Sequence, residues 1–426
     1  MSYREKTRVL FALASDFDFD GYIPTVFDNY CETLLYNGKP MSWGLWDTLG
    51  QEAYDNLRKL SYPGTDCFLF CFELDNQRSL EDLFLVWDCE IYEEGYGDSA
   101  KVLVGANMRT GDDSPRYSRS VTAFQIANVV KTMGFSGYLE CRLDNACRAT
   151  FASCPGMPPN MDRFQAIDSL VEATLEPDLL KLQTRLSDCQ NWDAVAPDAL
   201  PETVISRAPA EHSVEVASRG VSLQWLEEFG NHLGLTFGGE RGHWTTTQVV
   251  ADVIKPLTES LGIRMWDLIP AKCRGEATAF ISHAWRAPFW EILSGIRRSG
   301  KNNADYVWLD IFAINQHDFR QDLSPENLGG AVKHIGHTIM IALSDAYSLT
   351  RSWCMFEVVQ TVKNGAKFSC QIGRKALLSG IHVSCENAEA FLQEDKRMID
   401  ELMLHEFNTW TLADEFILES IKLCTF

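Results

Sequence analysis

Apolar and polar positions along this chain alternate between two periods. Short β-rich apolar runs are followed by stretches with apolar residues at helical spacing, and no apolar run reaches the length of a membrane span. From the amino end, a strand is predicted over Thr7–Ala14. Tyr30–Tyr36 and Lys39–Trp46 flank Asn37-Gly38, a strong hairpin turn signal. Further strands are predicted over Asp66–Leu74, Lys101–Ala106 and Tyr138–Cys141, and helices over Glu52–Leu60, Ser79–Tyr92 and Val121–Met133. That order gives a mostly parallel sheet with helices on both faces.

Pro155–Asn160, P-G-M-P-P-N, breaks the pattern and reads as a linker. Helical periodicity returns over Met161–Leu186, Leu223–Leu233 and Val249–Leu261. Proline-bearing Ala194–Val214 reads as a connector, and Thr245-Thr246-Thr247 can cap the third helix. Beyond lie two short apolar strands, Ala277–Trp285 and Val307–Asn315, which carry the polar residues Ser282-His283 and Asp310. Thr338–Leu343 is a third strand. Helices are predicted over Pro288–Arg298, Leu328–His334, a segment capped by Ser352, and the acidic stretch Glu386–Phe407. Asn315–Asn327 reads as a long polar loop. Ligands of open α/β sheets sit at the carboxyl ends of parallel strands, so Ser282, His283 and Asp310 are candidate site residues. Trp353 and Glu357 are four apart on one helix, which brings them to nearly the same face. The expected division is 1–154, an α/β domain; 155–275, a linker and helical adaptor; and 276–426, a second α/β domain with a terminal helix.

Composition narrows the function. The 426 residues are 46% apolar and 23% charged, as in ordinary globular protein. A net charge of −21 speaks against nucleic acid or an anionic membrane as the main partner. Thirteen scattered cysteines without C-x-x-C, and no targeting segment before V-L-F-A-L-A, read as a reduced, cytoplasmic chain. In the final L-C-T-F the cysteine is third from the end rather than fourth, so no stable membrane anchor is expected. His232 and His243 stand apart from any cysteine at ligand spacing, and no metal site is expected. Asp16-x-Asp18-x-Asp20-Gly21 matches the opening of a calcium loop, but Pro24 and Phe27 stand where later ligands would be needed.

Y-I-P-T-V-F-D-N-Y (Tyr22–Tyr30), G-L-W-D-T-L-G-Q-E (Gly44–Glu52) and L-S-Y-P-G-T-D (Leu60–Asp66) resemble a Rho-type small GTPase over residues 1 to 154. The resemblance implies a P-loop-NTPase-like doubly wound sheet. It places Thr25 and Asp47 where the family holds Mg²⁺, Gly50 beside them, and Gln51 where the family orients the attacking water. The departures point to a pseudo-GTPase. The phosphate-binding G-x-x-x-x-G-K-[ST] is missing, because S-D-F-D-F-D-G runs directly into Tyr22. Asp16, Asp18 and Asp20 would repel phosphate. The guanine-reading motif has become Ala106-Asn107-Met108-Arg109, and the later base-contact motif has become Arg142-Leu143. GTP with Mg²⁺ is therefore not expected to bind, while Tyr22–Tyr30 could still dock a protein effector.

F-I-S-H-A-W, V-W-L-D-I-F, Thr338–Leu343 and S-W-C-M-F-E resemble a TIR domain of the divergent kind found in single-celled eukaryotes. The resemblance implies a flavodoxin-like parallel sheet and self-association. Because some TIR domains hydrolyse NAD⁺, it implies Glu357 as the catalytic residue. Ser282, His283, Trp285, Arg286, Asp310 and Trp353 would be substrate-binding residues. NAD⁺ would be the substrate, and no cofactor would be required. The leading expectation is a signalling protein in which the Rho-like domain regulates NAD⁺ hydrolysis to nicotinamide and ADP-ribose products. The alternatives are a non-enzymatic scaffold of two interaction modules, and a GTPase switch with residual GTP binding.

Overall fold

The computed structural model describes residues 3–14, 28–36, 39–48, 55–107, 120–143, 149–153, 161, 163–175, 182, 201, 204–206, 215–318, 322, 324–378 and 381–425. It divides into two compact units, Met1–Val195 and Ala196–Phe426.

In the first unit β1 (Asp28–Tyr36) and β2 (Lys39–Asp47) form the antiparallel hairpin expected from Asn37-Gly38, in register from Asp28 opposite Asp47 to Tyr36 opposite Lys39. β3 (Cys67–Glu73), β4 (Ala100–Asn107) and β5 (Gly137–Leu143) are parallel, and β6 (Ala149–Ala152) closes the far edge antiparallel. Two sheets result, β1-β2 and β3-β4-β5-β6. Helix Ala123–Met133 shows how the sequence sets an element's limits. Thr122 and Gln125 make a reciprocal capping box at its start, and Gly134, at φ 68°, ends it in the left-handed region.

One expected strand is a helix. Residues Tyr3–Ala14 are helical, not extended over Thr7–Ala14. A short apolar run fits either period. As a helix it places Val9, Leu10 and Leu13 on one face, where they join Val102, Val104, Leu139, Ile167 and Leu170 in the unit's core. The start is tethered by the Thr7 hydroxyl, which donates to Asp47 Oδ2 at 2.5 Å, and by Lys6 Nζ, which donates to Thr48 O at 2.8 Å.

The second unit has a six-stranded sheet in the order β12-β11-β9-β10-β7-β8. Its strands are β7 (Gly220–Ser222), β8 (Arg274–Gly275), β9 (Ala279–Ser282), β10 (Tyr306–Trp308), β11 (His337–Ala342) and β12 (Lys367–Ile372). β10, β9, β11 and β12 are parallel, and β7 and β8 add an antiparallel edge. The sheet thus takes two strands from the stretch expected to be a helical adaptor. Those strands are too short for periodicity to reveal. β9 is buried at every position, as suits a parallel strand covered on both faces. Helix Phe289–Arg298 follows β9 and approaches β11 closely at Gly295, where a Cβ would lie 2.8 Å from Ile341.

Three further boundaries differ from expectation. β10 stops at Trp308, and Asp310–Ala313 is a short helix. The Asp310 carboxylate accepts its own neighbour's amide, Ile311 N–H, at 2.7 Å and turns the chain there. Helix Ser352–Lys363 has Arg351 at its N-cap, so Ser352 is its first residue rather than its cap. The terminal helix begins at Gln393, ends at Asn408 with φ 62°, and is followed by another helix, Trp410–Thr425. Ala413, Ile417 and Ile421 of that last helix are fully buried against Ile399 and Met403 in the unit's core.

Candidate functional site

β9 lies between β11 and β10, so the chain leaves it toward one side of the sheet and later returns on the other. The carboxyl ends of strands at such a reversal are where α/β sheets bind ligands. Ser282 and His283 stand at that end of β9, and Asp310 stands just beyond β10. Helix Ser352–Lys363 brings Cys354 and Glu357 to the same place. It can pack so closely because its other positions, Met355, Phe356, Val358 and Val359, are buried and apolar.

The Cys354 thiol donates to His283 O at 3.4 Å, which fixes the helix to the end of β9. Thr361 Oγ1 donates to Glu357 O at 2.6 Å and lies 2.7 Å from Thr338 Oγ1 at the other end, on β11. Asp310 accepts a hydrogen bond from Trp285 Nε1–H at 2.7 Å and lies 3.8 Å from His283 Nε2. Trp285 and Asp310 thus tie together the loops after β9 and β10.

Three polar atoms of this cluster are buried without a hydrogen bond: Ser282 Oγ, His283 Nε2 and Glu357 Oε2. Buried polar atoms are nearly always satisfied, so three together at strand ends are what a polar ligand would complete. Glu357 keeps part of its surface to solvent. Burial nevertheless pushes its carboxyl up to about 8; the nearby Ser282 hydroxyl opposes the rise, without reaching hydrogen-bond geometry, and the Asp310 charge adds to it. Burial pulls the His283 imidazole down, against the pull of Asp310, which keeps it neutral at pH 7. Burial, then the Glu357 charge, pushes the Cys354 thiol well up, so it stays protonated. Strongly perturbed groups gathered in one place mark functional sites more often than chance.

Ser282, His283, Trp285, Asp310 and Glu357 are therefore brought together. Two other candidates are not. Trp353 faces the C-terminal helices, where its Nε1–H donates to Asp395 Oδ2 at 3.2 Å and its ring meets Phe356 edge-on. Arg286 is 67% exposed and lies 3.8 Å from Glu389. Cys354 was not among the candidates, though its position three residues before Glu357 puts both on one face. Described residues of the polar stretch after Asp310 are tied to the rest of the unit. Arg219 Nη1 donates to Ala313 O at 2.8 Å and pairs with Asp322 at 3.0 Å, Asn315 Nδ2 donates to Gly262 O, and His317 Nε2 lies 2.8 Å from Thr258 Oγ1.

In the first unit Thr25, Gly50, Gln51, Asp16, Asp18, Asp20 and most of the Tyr22–Tyr30 face lie outside the described residues. Asp47 is described, and its carboxylate receives the Thr7 hydroxyl. Arg142 pairs with buried Glu140 on the same strand. Both residues are thus engaged by side chains of the same unit. Among the described residues no three or more His, Cys, Asp or Glu side chains converge to hold a metal. None of the described helices is long and apolar enough to cross a membrane.

A Ras-family model matches residues 5–150. With the parallel strands β3, β4 and β5 flanked by helices, this makes the amino-terminal part of the chain a small-GTPase-like domain and points to a signalling role of that type.

Proposed function

We propose that the second unit is a TIR-like domain that hydrolyses NAD⁺, and that the small-GTPase-like domain, deficient in nucleotide binding, regulates it. The observation that carries the reading is Glu357. Its carboxyl has one buried, unpaired oxygen and an acidity shifted to about 8, and it stands beside Ser282, His283 and Asp310 at the ends of parallel strands. The strand order supports it too. Counted from β9, the parallel strands run 4-3-1-2, the reverse reading of the flavodoxin-like 2-1-3-4.

The chemistry follows from charge. Hydrolysis breaks the bond between ribose C1′ and the pyridinium nitrogen. Its electron pair leaves with neutral nicotinamide, and positive charge develops at C1′. A carboxylate beside that carbon stabilises the charge, as in glycoside hydrolysis. Water then adds to C1′ and releases a proton. Empty, Glu357 holds a proton below about pH 8. An arriving pyridinium favours the anion, so binding releases that proton where catalysis needs the carboxylate. Trp285 and Asp310 hold the rim, and the Ser282 hydroxyl and neutral His283 offer hydrogen bonds to ribose or carboxamide.

As part of the same proposal, the active form is self-associated through the TIR-like unit, and a protein effector docks on Tyr22–Tyr30. The test is to incubate the full chain with NAD⁺ at low and high protein concentration and measure nicotinamide and ADP-ribose. Release that grows faster than protein concentration, and is lost in Glu357→Ala, supports the reading. A folded chain that releases neither product at any concentration overturns it.

A further inference from the structure

Two arginines of the second unit stand next to the candidate site. Arg286 follows Trp285 in the loop after β9. Arg351 immediately precedes helix Ser352–Lys363, which carries Glu357. Both face one carboxylate oxygen: Arg286 Nη1 lies 3.8 Å and Arg351 Nη1 lies 3.7 Å from Glu389 Oε2. Glu389 comes from the segment between β12 and helix Gln393–Phe407. Its main chain is fixed beside the helix start, since Glu389 N–H donates to Thr350 O at 2.8 Å and Ser352 N–H donates to Glu389 O at 3.0 Å.

The Glu389 side chain is held differently. It is 63% exposed, and neither guanidinium comes within the ~2.7–2.9 Å of a charge-assisted hydrogen bond. Exposed ion pairs of this kind contribute little. Arg351, by contrast, is only 22% exposed, and its charge reaches the Cys354 thiol, which also feels Glu357. A rigid main chain thus presents a loosely held carboxylate to two cations. In a chain of net charge −21, two arginines converging on one point are a local exception, a place where an anion can be held. Arg351 is six residues from Glu357, ~9 Å along the helix, on the scale of a ribose followed by a diphosphate.

We propose that Glu389 is a built-in competitor for substrate: its carboxylate takes the place between Arg286 and Arg351 that the diphosphate of NAD⁺ occupies, so binding exchanges one anion for another. This rests on the reading of the site as one that cleaves NAD⁺. Guanidinium forks match phosphate oxygens in shape and charge. The displaced side chain turns into water while the main-chain bonds to Thr350 and Ser352 stay in place. Because the carboxylate is tethered, its effective concentration at the arginines is high. The site therefore fills only when NAD⁺ outcompetes it, and a partner that draws Glu389 away would raise the affinity.

The experiment is calorimetric titration of the full chain with inorganic pyrophosphate, beside the KM for NAD⁺. Glu389→Gln keeps length and main-chain bonds but removes the charge. It should bind pyrophosphate about two- to fivefold more tightly than wild type, whereas a merely structural contact would give weaker or unchanged binding. Arg286→Gln and Arg351→Gln should each bind about tenfold more weakly, and KM should move in the same directions. Equal or weaker pyrophosphate binding by Glu389→Gln overturns the proposal, and so does binding that survives both arginine substitutions. The titration decides without turnover. Tighter binding by Glu389→Gln in a chain that releases no nicotinamide keeps the anion site and discards the hydrolase reading. Nicotinamide release with unaltered pyrophosphate affinity and KM does the reverse.

Discussion

Replacing Glu357 by glutamine should make the protein more stable, and increasingly so as pH rises. An isolated carboxyl of this type titrates at 4.5, and burial moves Glu357 to about 8. Its folded-state pKa is raised, so the folded chain keeps a proton that the unfolded chain releases. The stability associated with that proton is fully present below 4.5 and is lost as pH rises toward 8. At ~1.36 kcal/mol per unit, the loss at pH 7.5 would be ~4 kcal/mol. Glu357 keeps some contact with water, so we halve this to ~2 kcal/mol. Glutamine has nothing to ionise and escapes the loss. For a domain of this size that corresponds to a rise in Tm of roughly 4–8 °C. Thermal melts of both proteins from pH 5 to pH 8.5 measure it: the two curves should nearly coincide at pH 5, diverge steadily as pH rises, and stop diverging above about pH 8. A constant difference across pH, or a wild type that is the more stable at pH 8, would refute the electrostatic reading of this residue.

Other expectations test the frame around it. Trp285→Phe removes the N–H that Asp310 accepts at 2.7 Å; it should cost ~1 kcal/mol in chemical denaturation and lower NAD⁺ turnover, whereas Trp285→Phe in a protein already carrying Asp310→Ala should cost less. Gly373→Ala would put a Cβ 1.7 Å from Leu343 O, so a loss of roughly 3 kcal/mol or failure to accumulate as folded protein is expected. In the first unit Arg58 grips fully buried Glu90 through two hydrogen bonds of 2.7 and 2.6 Å. Arg58→Ala should cost ~3–5 kcal/mol, while pairing Arg58→Met with Glu90→Leu should recover most of it.

Much of the fold was legible in the sequence where local signals agreed. Asn37-Gly38 specified the β1–β2 hairpin, and the apolar runs at Cys67–Glu73, Lys101–Ala106 and Thr338–Leu343 were strands in both readings. Residues Thr7–Ala14 could not be assigned by pattern, because Val9, Leu10 and Leu13 suit a helix face as well as a strand. β7 and β8 were hidden by length, being three and two residues long. Trp410–Thr425 was missed although Ala413, Ile417 and Ile421 recur every four residues. In the candidate site, the strand-end rule found Ser282, His283 and Asp310 directly. It could not show that Trp285 bonds Asp310, or that Trp353 turns toward Asp395, because both depend on partners 25 and 42 residues distant. The phosphate-loop departure was visible only as sequence, since Asp16, Asp18 and Asp20 lie outside the described residues, as do Thr25, Gly50 and Gln51.

The pH dependence of nicotinamide release at high protein concentration tests the role of Glu357 most directly. If its carboxylate stabilises the charge at C1′, kcat/KM for NAD⁺ should climb about tenfold per pH unit below 8. It should level off above 8, where the acidity of Glu357 in the free site places the change. Glu357→Gln should be inactive throughout. A profile flat from pH 6 to 9 in wild type, or activity retained by Glu357→Gln, would contradict the assignment.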